Sequence, residues 1–166
     1  MLNPYGHEHA DVLAGNVEPT VPALARLIEA ADEVELVYVN DNYEEWSFGR
    51  EALVGKALEG RHPELVEPIT PKDAVPFLAK GRHSIFYETS LDHLLKTNDV
   101  ERIVLSGQVT EQCILYSALD AYLRAYEIAV PHDAVAHIDE ELAKAALAMM
   151  ERNMHAELTP AADAAL

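Results

Sequence analysis

Residues 102–131 read RIVLSGQVTEQCILYSALDAYLRAYEIAVP, and this stretch decides the fold. Arg102 to Gly107 is a short apolar run that ends in turn formers, which reads as a strand. Thr110 stands where a helix cap is needed, ahead of a helix from about Glu111 to Ala125 with a long apolar face. Ile128-Ala129-Val130 makes the next strand and stops at Pro131. Strand, helix of 10–15 residues and strand in succession form a βαβ unit, which requires parallel pairing through a right-handed crossover.

The same alternation extends in both directions. Upstream, Ser90 is placed to cap a helix carrying Leu91, Leu94 and Leu95, with Asn98-Asp99 ending it, and Pro76 to Lys80 reads as another strand. Residues 50–59 are helix-like after Ser47 and Gly49, while Arg61-His62-Pro63 and Ile69-Thr70-Pro71 punctuate a connection. Val34 to Val39 is a β-branched run that feeds the turn formers Asn40-Asp41-Asn42. Val21, Leu24, Leu27, Ile28 and Ala31 recur at helical spacing between Pro19 and Ala31, and Met1 to Glu18 reads as a polar loop before them. Downstream, Asp139 caps a last helix with Leu142, Ala145, Ala146, Met149 and Met150, and Ala156-Glu157-Leu158 is a final strand. No repeat, low-complexity tract or linker divides the chain. The expectation is one doubly wound α/β domain over residues 1–166, a parallel sheet in a Rossmann-like three-layer α/β/α arrangement.

Composition bounds the function. Twelve Lys and Arg stand against twenty-nine Asp and Glu in 166 residues, a formal balance of −17, with 49% apolar and 25% charged residues. That is a globular composition able to bury a core. So acidic a surface, without a basic stripe, repels phosphate backbones and anionic lipid, so nucleic-acid and membrane partners are not expected. The one cysteine, Cys113, cannot form an internal disulfide, which fits a reducing compartment. No apolar run approaches the roughly 18 residues of a membrane helix, and Met1-Leu2-Asn3-Pro4 lacks a signal peptide's pattern. A cytoplasmic protein acting on a small molecule is the expectation.

In open parallel sheets ligands bind beyond the carboxyl ends of the strands. Two residues there can do chemistry. Cys113 falls in the first turn of a helix, where unpaired N–H groups and the helix dipole favour a thiolate. Lys80, at the end of another strand, adds a cation at the same rim, and the pair reads as an activated nucleophile with its electrostatic partner. His137 follows the fourth strand and is a candidate to face the site. His7-Glu8-His9 reads as a solvated loop, and neither metal nor cofactor is expected.

Lys80-Gly81-Arg82-His83-Ser84-Ile85-Phe86-Tyr87, Val104 through Cys113, Tyr38-Val39-Asn40-Asp41-Asn42-Tyr43 and Val130 through Ala136 resemble, in order, the isochorismatase-like cysteine hydrolase superfamily. The resemblance implies a six-stranded parallel sheet and a catalytic set of Asp, Lys and Cys. It assigns Cys113 as nucleophile, Lys80 as stabiliser of developing negative charge, a cis peptide at Val109-Thr110, and an oxyanion hole from the N–H groups of Thr110 and Cys113. It places Tyr43, Trp46, Phe86 and Tyr116 on the substrate pocket, and it implies a homo-oligomer, dimer or tetramer. The cysteine favours the amidase branch, a hydrolase of a C–N bond in a small amide or ureido compound. The alternatives are an impaired relative acting as a binding or scaffold protein, and a vinyl ether hydrolase of the isochorismatase type. The family's central strand, ending in its aspartate, has no counterpart in these residues. An upstream start is the first expectation; another segment or chain filling the gap, or a degraded relative, are the others. Asp41, Glu111 and Asp133 are acids near the rim, and none matches the family aspartate.

Overall fold

The computed structural model describes residues 1–31, 36–47 and 49–164. Two helices, α1 (Ala10–Val17) and α2 (Val21–Ala30), precede β1 (Tyr38–Asp41). Then come α3 (Arg50–Leu58), α4 (Pro63–Val66), β2 (Phe77–Lys80), α5 (Leu91–Thr97), β3 (Arg102–Val104) and β4 (Gly107–Gln108). A turn of π-helix over Thr110–Ile114 leads into α6 (Leu115–Leu123), followed by β5 (Glu127–Pro131), β6 (Val135–Ala136), α7 (Glu140–Met154) and β7 (Glu157–Thr159). The protein is α/β with parallel strands, as the alternation requires.

Side chains alternate across each strand, and this produces the layers. Val37 and Val39 pack on one face with Ile103, Ile128 and Val130, under Leu91, Leu95, Ala118, Ala121, Ala146 and Met150 of α5, α6 and α7. Tyr38 and Phe77 point the other way, toward Leu13 and Val17 of α1, Ala57 of α3 and Leu65 of α4. Helices therefore cover both faces.

Several expectations need correction. The first eighteen residues are not all loop: Ala10, Leu13, Ala14 and Val17 bury one face of α1, a helical spacing diluted in the sequence by Gly15 and Asn16. Residues 34 and 35 of the expected first strand lie outside the described residues, and the strand runs on to Asp41, two positions past Val39. The strand expected over 102–107 is two pieces. Leu105 N–H still bonds to Ala129 O at 2.9 Å, but Gly107 turns at φ 122° to bond Ala134 O and pair with β6 instead. Thr110 does not cap its helix: its hydroxyl donates to Ala136 O at 2.9 Å, and Val109 takes the cap position through its carbonyl. Ser90 holds the cap position of α5 without a side-chain bond, because Thr89 Oγ1 accepts from Leu91 N–H in its place. Asp139 caps α7 as read, accepting from Leu142 N–H at 2.9 Å.

The sheet is not continuous. Among the described residues it falls into β1–β2, β3–β5–β7 and β4–β6. Between β1 and β3 lies a cavity of about 870 Å³, walled by Val37 and Val39 on one side and Ile103 and Leu105 on the other. The six-stranded sheet that the resemblance implies is thus interrupted where no strand joins these two edges. Among the described residues no helix is long and apolar enough to cross a membrane.

Candidate active site

Strand register builds the site. Asp41 and Lys80 are the last residues of β1 and β2 and are partners across the parallel ladder. Side chains at paired positions lie on the same face, and Lys80 Nζ donates to Asp41 Oδ1 in an ion pair. The lysine side chain is 4% exposed and the aspartate's 42%, so the cation is sequestered while the anion opens outward. Lys80 Nζ also lies 3.6 Å from Cys113 Sγ.

The π turn delivers the cysteine. Val109 O accepts the amides of Gln112 and Ile114, both at 3.1 Å, leaving the amide of Cys113 between them unclaimed by that carbonyl. Glu111 Oε1 accepts from Ile138 and Asp139 N–H at 2.9 Å, which ties the turn to the start of α7. Buried Ser117 donates to Cys113 O and accepts from Ile85 N–H, coupling the cysteine's turn to the loop that follows Lys80. The cis peptide lies at Gln108-Val109, one residue earlier than expected. Pairing of β4 with β6 ends at Gln108, so the chain turns there.

A pocket of about 320 Å³ opens over Cys113, Lys80 and Asp41. One wall is the amino-terminal segment: Asn40 binds Leu2 N–H and C=O at 3.2 and 3.1 Å, and Gln108 Nε2 donates to Met1 O at 3.1 Å. Tyr43 also lines it and donates to Leu2 O; burial pushes its phenol well above the ordinary range, so it stays a donor. Asn3, His7, His9, His83 and Gln112 also line it. Burial, with His9 nearby, holds His7 below the usual imidazole range.

The structure brings together Cys113, Lys80, Val109 and Tyr43. Thr110, buried with its hydroxyl on Ala136 O, stands directly behind Val109 and off the lining, and four further candidates lie away from the pocket. Phe86 is in the core, stacked 6.0 Å from Tyr126 and beneath the Arg124 guanidinium. Trp46 is 78% exposed, its ring against Gly81. Tyr116 is outside the pocket but tilts 5.5 Å from His83, which lines it. His137 gives way to its neighbour Ile138 on the lining and uses its carbonyl to accept from Asn16. Asp41 was read as an acid near the rim, but a strand boundary set two residues short left it in a turn, so its pairing with Lys80 was not foreseen. Among the described residues no group of three or more His, Cys, Asp or Glu could hold a metal.

The class is parallel α/β with helices on both faces, and a cysteine and a lysine meet at its strand ends. Comparison with known proteins specifies it: the Isochorismatase domain family matches residues 8–163. An uncharacterized isochorismatase family protein of Bacillus subtilis (strain 168), YaaI, is 35% identical over 161 residues, 96% of this chain and 89% of that protein. The ureidoacrylate amidohydrolase RutB of Klebsiella pneumoniae (strain 342) is 32% identical over 87 residues, 51% of this chain and 37% of RutB. N-carbamoylsarcosine amidase of Thermoplasma acidophilum superposes with a TM-score of 0.70 at 28% identity, covering 90% of this chain and 87% of that one. The chain belongs to the isochorismatase family of hydrolases, and amidases are among its relatives.

Proposed function

We propose that the protein cleaves a C–N bond of a small amide or ureido compound through a thioester at Cys113. The observation that carries this reading is the 3.6 Å contact between Cys113 Sγ and the buried Lys80 ammonium at the base of the pocket. The thiolate adds to the substrate carbonyl, and the oxyanion is received by the amides of Thr110 and Cys113 with Lys80 adding charge. One such donor is typically worth about 3 kcal/mol of transition-state stabilisation. Two relatives whose names specify ureidoacrylate and N-carbamoylsarcosine favour a ureido or carbamoyl carbonyl. The competing reading is a relative that binds small molecules in this pocket without turning them over.

Ammonia release from a panel of primary amides and ureido acids, with mass spectrometry of the quenched enzyme, separates the two. The expected result is turnover, an acyl adduct on Cys113, loss of at least a thousandfold in Cys113→Ser, and slower alkylation of Cys113 by iodoacetamide at pH 7 in Lys80→Ala. Turnover that survives Cys113→Ser, or alkylation indifferent to Lys80, overturns the cysteine mechanism.

A further inference from the structure

Helix α6 is apolar on two sides, and its own chain covers one of them. Ser117, Ala118 and Ala121 are buried toward the core, while Tyr116, Leu119 and Leu123, at three- and four-residue spacing, line the opposite side. Tyr116 and Leu119 are more than two-fifths exposed, and Leu123 is 70% exposed. A helix that is apolar all round belongs in a buried setting. Tyr122 borders the stripe, also exposed, with its ring 6.2 Å from that of His155 at the end of α7. One turn before Tyr116 the stripe continues into exposed Gln112, which lines the pocket, and Tyr116 tilts 5.5 Å from His83 on the same lining. We propose that this face is the interface of a twofold dimer, in which a second copy of the chain lays its own α6 antiparallel across the stripe and reaches the mouth of the pocket. The inference stands apart from the hydrolase reading and survives its failure.

Charge selects the occupant. The molecule carries a formal −17, yet the one charge on α6, Asp120, is bonded to Arg124 at 2.7 Å, and Arg124 also lies 3.7 Å from Asp92. The carboxylates beside the stripe are thus neutralised within the chain. A basic partner is drawn to the acidic remainder of the surface, whereas a second copy, itself at −17, approaches with least repulsion where the surface is locally neutral. Area agrees with this choice. The four exposed side chains present on the order of 300 Å² of apolar surface, a patch of the size that marks contact sites. A dimer interface of standard size takes about 800 Å² from each partner as an apolar core inside a polar rim, so the stripe supplies the core and its polar flanks the rim. Packing about a twofold axis at Leu119 sets that residue opposite its own copy and Tyr116 opposite Leu123 of the partner subunit, which closes the assembly at two chains.

Sedimentation equilibrium of the 18.3 kDa chain, run across a series of sodium chloride concentrations, tests the proposal. The expected result is a species of twice that mass whose association strengthens as salt is raised, because salt screens the repulsion between like-charged copies. Leu119→Glu and Leu123→Glu, at exposed positions that leave the core untouched, set carboxylates against the second copy. Each is expected to weaken association at least about tenfold with unchanged far-ultraviolet circular dichroism. Val12→Glu serves as the control: Val12 is an exposed apolar residue of α1, on the other face of the sheet, and its replacement is expected to leave association as it was. A wild type that stays monomeric at every salt concentration overturns the proposal, and so does a dimer that both stripe variants retain, which places the contact on another face. Association that weakens with salt, or that Val12→Glu disrupts as much as the stripe variants do, overturns it as well, since neither belongs to an apolar contact between like-charged copies on α6.

Discussion

Ser117 is the residue on which the precision of the site turns. It is 1% exposed, one helical turn after Cys113, and bridges the carbonyl of Cys113 to the amide of Ile85. Removing its hydroxyl strands a partly buried donor and a partly buried acceptor, for which the roughly 1–3 kcal/mol cost of a fully buried unpaired group is the upper range. Ser117→Ala is therefore expected to lower the denaturant midpoint and to reduce kcat together, because the loop after Lys80 and the cysteine turn lose their common tie; an unchanged midpoint contradicts this. Nothing in the spacing of Ser117 announces such a role, since a serine within an apolar helical stretch reads as a small residue tolerated in a core. Cys113 and Lys80 were legible as candidates that meet on one pocket, because chemistry restricts which residue types can serve at strand ends. Phe86 and Trp46 were misplaced on the pocket because an aromatic's environment is set by which neighbours arrive in three dimensions, here Tyr126 and Arg124 for the one and Gly81 for the other.

At the scale of elements, the two facing edges of the interrupted sheet make a measurable prediction. Tyr38 and Asn42 N–H bond to Pro76 and Lys80 O, so strand alternation turns the amides of Val39 and Asp41 away from β2 and toward the cavity. Leu105 N–H bonds to Ala129 O, and by the same alternation the amide of Val104 faces the cavity from the other side. Hydrogen exchange of the native protein is expected to show Val39 and Val104 amides exchanging at least a hundredfold faster than those of Leu105 and Ala129. Equal protection shows instead that a further strand occupies the space. Helices α2, α5, α6 and α7 were readable from apolar spacing and the cap of α7 from Asp139 alone, whereas α1 and the short α4 were read as loop and connection. The break within 102–108 was not, because Leu105 and Ser106 suit a strand as well as Ile103 does. Only the competing partner β6, bonded through Gly107 and Gln108, draws the chain aside.

For the whole molecule, tertiary burial sets the alkaline limit of stability. Tyr5 and Tyr38, packed in the core beneath α1 and α4, are each pushed from 10.0 to about 12, with burial the leading cause. The folded state holds both phenolic protons where the unfolded chain has released them. This contribution is therefore fully present below pH 10 and is lost as pH rises from 10 to 12. Phenolate absorbance and far-ultraviolet circular dichroism, followed together on alkaline titration, are expected to show a tyrosine fraction that ionises only as the fold melts. Smooth ionisation in a folded protein refutes it. The sequence by itself determined the α/β class, the parallel pairing and the family, and it singled out Cys113 and Lys80 as candidates for the site. These depend on local periodicity and on residue chemistry, which a linear chain carries intact. The tertiary structure alone decided that Asp41 grips Lys80 and that the amino-terminal segment walls the pocket. Those features depend on register and on contacts between residues up to 107 positions apart, as for Met1 and Gln108, where a shift of one or two residues moves a side chain to a different neighbour or face.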